Sequence, residues 1–173
     1  EKLMTYRFGG YWKDVGTVDS LWDANLDLLN PNIKFDLSDK SWRIYSRGKA
    51  MPPQYISDTA KVENSLITDG CSVAGKVDFS ILFENVTVEE GASVEYSLVM
   101  PGSVIKSGAK LRYSIISENT VIGENATIGE DPTEVKPGEF GIAVVGGNLK
   151  IGKGARVTAA KTVSKDMEGG EVL

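Results

Sequence analysis

A six-residue phrase recurs four times in the chain, as Val62-Glu-Asn-Ser65-Leu-Ile67, Val77-Asp-Phe-Ser80-Ile-Leu82, Val94-Glu-Tyr-Ser97-Leu-Val99 and Leu111-Arg-Tyr-Ser114-Ile-Ile116. Every copy is aliphatic at its first, fifth and sixth positions and serine at its fourth, and the copies start 15, 17 and 17 residues apart. Between copies the aliphatic residues keep a six-residue pace, as in Val99, Ile105, Leu111 and again in Ile116, Ile122, Ile128. A unit this short has no room for the two helices of a helical repeat. Six-residue steps carrying β-branched residues are the pattern of a parallel β-helix. One residue per step points inward, so Val, Ile and Leu stack into a column. Ser65, Ser80, Ser97 and Ser114 then stack at a corner. No base accompanies them, so their reading is structural.

The repeats run from about residue 60 to 129. Residues 130–141, with two prolines and five charges, leave the pattern as an exposed excursion. The six-residue pace returns at Val145, Ile151, Val157 and Val163. Nine of the fourteen aromatic residues, with all three tryptophans, precede residue 56, and this shift predicts a boundary near residues 52–57.

The first 56 residues read differently. Met4, Tyr6 and Phe8 alternate with Thr5 and Arg7, which predicts a half-buried strand over 3–8. An aromatic-rich loop follows, and Thr17 or Asp19 can cap a helix with Val18, Leu21, Trp22, Leu26 and Leu29 on one face. Asn30-Pro31 ends it, since the residue before proline is pushed out of helical geometry. Trp42, Ile44 and Tyr45 suit a short strand, Trp12 and Trp22 suit core packing, and Gly16 suits a turn.

Composition closes several routes. With no histidine, imidazole-based triads and three-histidine zinc sites are excluded. A net charge of −5 argues against a nucleic-acid surface. A single cysteine, Cys71, excludes an internal disulfide and suits a reducing compartment, so a cytoplasmic location is expected. No apolar run is long enough to span a membrane as a helix. A first residue of Glu1 suggests a piece of a larger protein.

Six-residue β-helices occur in acyltransferases, in gamma-type carbonic anhydrases and as tails on sugar nucleotidyltransferases. The first two need histidines that this chain lacks. The stretch from Gly9-Gly-Tyr-Trp-Lys-Asp14-Val-Gly-Thr17 to Asn25-Leu-Asp-Leu-Leu29 resembles the end of the catalytic domain in the bacterial ADP-glucose pyrophosphorylase (glucose-1-phosphate adenylyltransferase) family. Trp42-Arg-Ile-Tyr-Ser46 and Pro52-Pro-Gln-Tyr-Ile56 resemble that family's linker. The resemblance implies a left-handed parallel β-helix over 57–173, preceded over 1–56 by a short α/β remnant of a nucleotidyltransferase domain. It implies a parent enzyme that turns ATP and glucose 1-phosphate into ADP-glucose and pyrophosphate for glycogen synthesis, with Mg2+ as cofactor. Asp14 matches a family carboxylate that binds the metal; on its own it reads as a loop aspartate bonded to nearby backbone. The resemblance further implies a homotetramer, or a hetero-oligomer with a paralogue, in which the β-helix serves assembly and allosteric control. Lys150, Lys153, Arg156 and Lys161, with Lys165 beside them, are candidates for an effector anion; the competing reading is a solvated surface interleaved with acids. This piece alone is expected to be inactive. Two rival readings are a non-catalytic regulatory paralogue and a stand-alone β-helix scaffold.

Overall fold

In the computed structural model, which describes residues 2–37, 39–45, 50–136, 138 and 140–173, the repeats form a three-sided solenoid of six coils. Three parallel sheets of six short strands make its sides. Register is strict on each side. Ile56, Val73, Val88, Ile105, Ile122 and Ile151 are stacked in the first sheet. Val62, Val77, Val94, Leu111, Ile128 and Val157 stack in the second. Ile67, Leu82, Val99, Ile116, Val145 and Val163 stack in the third. From the second coil upward these side chains are essentially sealed from solvent and form one continuous core. The six-residue step therefore delivers one core residue to each side in turn.

Corners are made by backbone in left-handed geometry. The third residue of each phrase, Asn64, Phe79, Tyr96 and Tyr113, has φ of 34, 43, 49 and 45°. Ser80, Ser97 and Ser114 follow immediately and are fully buried. The excursion leaves within the fifth coil, after its strand Thr127–Ile128, takes a 3-10 turn over Pro132–Glu134 and rejoins at Ala143, which pairs with Ser114. Of its residues, Pro137 and Glu139 lie outside the described set, as does Ser46 of the linker motif. At the far end the C-terminal tail covers two of the three sheets, through Met167 beside Ile151 and Val172 beside Arg156. At the near end, no strand among the described residues pairs with the first coil, whose Tyr55, Ile56, Val62 and Leu66 are exposed.

Among the described residues before the solenoid, one α-helix forms, α1 over Val18–Leu26, extended by a 3-10 turn over Asp27–Leu29. Thr17 is its N-cap: Thr17 Oγ1 accepts from the Ser20 amide, and Ser20 Oγ accepts from the Thr17 amide. Asn30 ends the 3-10 turn in extended geometry, as the following proline requires.

Two strands expected from the sequence are not formed. Residues 3–8 have no strand, and Met4 and Tyr6 are 87% and 89% exposed. Residues 42–45 likewise have no strand, and Trp42 is 83% exposed. A strand is stable only when its N–H and C=O groups are paired with a neighbour, and neither segment has one among the described residues. The expected α/β remnant is thus represented by α1 alone. Trp12 is also exposed rather than packed in a core. No helix among the described residues is long and apolar enough to cross a membrane.

Candidate functional site

Helix α1 lies along the third side of the solenoid. That side is apolar on its outer surface too: Ile81, Leu98, Ile115 and Ile142 form a second column, onto which Leu26 and Leu29 pack. Aromatic residues seal its edge. Phe79, Tyr96 and Tyr113 stack coil on coil, the last two with centroids 4.8 Å apart and planes 2° from parallel. Phe140, from the end of the excursion, meets Tyr113 edge-on at 5.4 Å. Trp22 lies 5.9 Å from Tyr113 and donates Nε1–H to the Tyr96 carbonyl at 2.8 Å. Two of the three tryptophans are thus exposed, while Trp22 is half-buried at a contact with the solenoid.

The loop carrying Asp14 is fastened to the same helix, through Asp23 and Asp27 beside its packed face. Asp27, at the end of α1, accepts from Lys13 Nζ at 2.6 Å and from Tyr11 Oη at 2.9 Å. Lys13 also pairs with Asp23 at 2.5 Å. Lys13 and Tyr11 together hold the Asp27 carboxyl below the usual carboxylate range, against the opposing effect of its burial. Burial pushes the Tyr11 phenol up, and its hydrogen bond to Asp27 adds to that. Burial works against the charge on Lys13, but Asp23 and Asp27 outweigh it and hold the ammonium above its ordinary value.

Asp14 itself is exposed. Its Oδ1 accepts from the Gly16 amide at 3.2 Å, which makes the turn expected at Gly16. Oδ2 has no hydrogen-bond partner among the described residues, and the adjacent cation, Lys13, is turned away to Asp23 and Asp27. A hard, exposed, unneutralised oxygen held by a tight turn suits a magnesium ion, which takes one or two protein carboxylates and completes its shell with water and phosphate. No cluster of three or more acidic, histidine or cysteine side chains occurs among the described residues, so Asp14 could supply at most one part of a metal's shell.

The basic residues near the end are only partly available. Lys153 Nζ is 2.7 Å from Glu124, and Arg156 is 2.7 Å from Glu130, each a carboxylate on the coil beneath. The ammonium groups of Lys150 and Lys161 pair with no carboxylate among the described residues, although the Lys150 amide donates to Asp166 Oδ1 at 2.8 Å. Lys161 edges a cleft of about 580 Å3 with Glu130, Thr158 and Phe140, so an anion entering there meets one cation and one carboxylate. The four do not converge on one point through shared partners.

Cys71 is buried and donates its S–H to the Phe83 carbonyl at 3.0 Å. Burial raises its pKa, which keeps it a thiol and an inert one. The sequence did not reveal Asp23 and Asp27 as partners of Lys13, or Tyr11 as a second donor to Asp27. A signal existed, because Asp23 and Asp27 sit four apart on a helix and share a face. It also missed the aromatic ladder, although the third position of three of the four phrases is Phe or Tyr.

Comparison with known proteins bears on the solenoid and on the family. The family described as GlmU-like, C-terminal hexapeptide, matches residues 52–143. Glucose-1-phosphate adenylyltransferases of Bacillus mycoides (strain KBAB4), Bacillus cereus (strain ATCC 10987 / NRS 248) and Bacillus anthracis are each 58% identical to the chain over 94 residues. That match takes in 54% of this chain and 25% of each relative, so the matched stretch is about a quarter of the length of those proteins. A solenoid of six-residue steps with one buried aliphatic residue per side, over most of the matched residues, places the chain in the GlmU-like C-terminal hexapeptide family.

Proposed function

We propose that the chain is the C-terminal part of a glucose-1-phosphate adenylyltransferase acting in the cytoplasm, in which the residues before the first coil complete a catalytic domain and the coils, which begin at Tyr55 and not at the expected residue 57, form its assembly and control domain. The observation that carries this reading is the 58% identity over 94 residues to proteins of that name. The docking of α1 on the solenoid supports it, since the helix joins the loop of Asp14 to the repeats in one packed unit.

In the parent enzyme, ATP and glucose 1-phosphate would be the substrates, and Asp14 would offer its free Oδ2 to Mg2+. The ion, when bound, neutralises charge on the phosphate oxygens. The chain's own part is positional: the Gly16 amide holds Oδ1, and Lys13 is kept from pairing with Asp14. In the full-length protein, Asp14→Asn should lower turnover by orders of magnitude and weaken magnesium dependence, with the far-ultraviolet spectrum unchanged. Near-normal turnover would remove Asp14 from the metal site.

For assembly, the support is the difference between the solenoid ends: the first coil offers strand edges unpaired among the described residues and exposed Val62 and Leu66, while the tail covers two of the three sheets at the last. Exposed edges invite pairing. The full-length protein should sediment as a dimer or larger, with a tetramer as the proposed state. An effector anion would meet Lys150 and Lys161 first, and Lys161→Glu should then shift the response to phosphorylated effectors while leaving unregulated turnover alone.

A further inference from the structure

The contacts of Asp27 go beyond capping a helix. Its carboxylate sits where three parts of the chain meet: the loop before α1, through Tyr11 and Lys13; the helix itself, whose last residue precedes it; and the solenoid, through Leu26 and Leu29 on either side of it in sequence. The apolar face of the helix is fixed to four successive coils by Ile81, Leu98, Ile115 and Ile142, and the Trp22 hydrogen bond to Tyr96 sets its rotation about its own axis. The loop, by contrast, has no strand or helix between residues 10 and 16 to hold it, and Trp12 and Val15 point into solvent. Its fastenings to the helix are the Thr17 cap at one end and the Tyr11 and Lys13 bonds at the other. Asp14 lies between those two fastenings.

We propose that Asp27 is a positioning residue, which ties the loop bearing Asp14 to α1 and thereby fixes that carboxylate relative to the solenoid face. Lys13 has a second effect in this arrangement. Held by Asp27 and Asp23, it cannot fold back to neutralise its neighbour Asp14, so one ion pair both anchors the loop and leaves the adjacent carboxylate open. The catalytic weight of the link rests on the reading of Asp14 as a metal ligand; the mechanical link does not.

The test uses the full-length protein and two substitutions, Asp27→Ala and Lys13→Met, which remove the bond from opposite partners. Amide hydrogen exchange followed by mass spectrometry should show residues 10–17 exchanging at least tenfold faster in Asp27→Ala and several-fold faster in Lys13→Met. Peptides from 70–128 should be unchanged in both. The magnesium concentration for half-maximal turnover should rise several-fold, with a smaller change in the KM for glucose 1-phosphate. Unchanged exchange over 10–17 in both variants would overturn the proposal. If Asp27→Ala also loosens 70–128, Lys13→Met decides, because it leaves the end of the helix intact. Faster loop exchange with unaltered magnesium dependence keeps the link and sinks the metal-ligand reading of Asp14.

Discussion

Ser97 and Ser114 share a hydrogen bond between their hydroxyls, 3.1 Å apart, at a corner from which water is wholly excluded. Ser97 Oγ also accepts from the Ser114 amide at 3.2 Å and donates to the Glu95 carbonyl at 2.8 Å. The same amide-to-hydroxyl step links Ser80 to Ser65 and Ser97 to Ser80. Ser65, Ser80 and Ser97 thus each supply an acceptor for an amide on the next coil, beside a residue whose positive φ turns the backbone, whereas above Ser114 the Ala143 amide donates to the Tyr113 carbonyl. Ser97→Ala strands a buried N–H and should cost about 1–3 kcal/mol. Ser65→Ala, at the partly exposed foot of the column, should cost less because water can replace the hydroxyl. Urea unfolding midpoints of the two variants check this, and equal losses would contradict it.

Leu26 is 4% exposed, yet it belongs to the outer column and not to the solenoid's interior. Leu26→Ala should therefore loosen α1 by about 2–5 kcal/mol while leaving the coils standing. Hydrogen exchange should quicken over 18–29 and the 10–17 loop fastened to it, with the coils unchanged, and Trp22 emission should shift to the red. Equal protection loss across the coils would show the helix to be part of the main folding unit.

Ala160 adopts φ of 59°, where an L side chain crowds the following carbonyl. Ala160→Gly should raise stability by up to about 1 kcal/mol, after the greater freedom of glycine in the unfolded chain is offset. Gly129 is the opposite case. Its φ is 75°, and a Cβ there would lie 1.8 Å from the Arg112 carbonyl oxygen, so Gly129→Ala should cost several-fold more than Ala160→Gly gains. Thermal denaturation of both variants reads the two signs.

Glu130 accepts from the Ala159 amide at 3.0 Å and from Arg156 at 2.7 Å, and these bonds hold its carboxyl below the ordinary value of 4.5. A depressed folded pKa means that the unfolded chain takes up the proton first as pH falls. The contribution is therefore complete above the unfolded value and is lost as pH drops through the folded one. Glu130→Gln should lower stability by about 1–2 kcal/mol at pH 7, and the gap from the parent should close below pH 4.5. A gap independent of pH would assign the effect to shape and not to charge.

The solenoid was legible because its code is local. Every six residues one aliphatic side chain must face inward, and Val62, Val77, Val94 and Leu111 announce that register with no knowledge of neighbours. The helix cap at Thr17 and the stop at Asn30-Pro31 are local in the same sense. The failures at residues 3–8 and 42–45 have the reverse cause: alternation predicts a strand only where an edge is available to receive it, and the described residues supply none. At the candidate site, the Asp14 turn was visible as a short-range pattern. The Lys13–Asp27 bond was not, because it joins positions fourteen residues apart whose meeting depends on where α1 packs.

Across the excursion, Ile116 still faces Val145, a separation of 29 residues where the coil before it takes 17, and the twelve extra residues are those of 130–141. The ladder therefore registers height and is indifferent to how much chain is spent between rungs. That makes this corner an insertion port. Sequence can be lengthened, shortened or exchanged for a foreign loop there while the coils above remain in step with those below, and the Arg112–Glu134 pair and the Phe140 contact are the local moorings such a graft would give up.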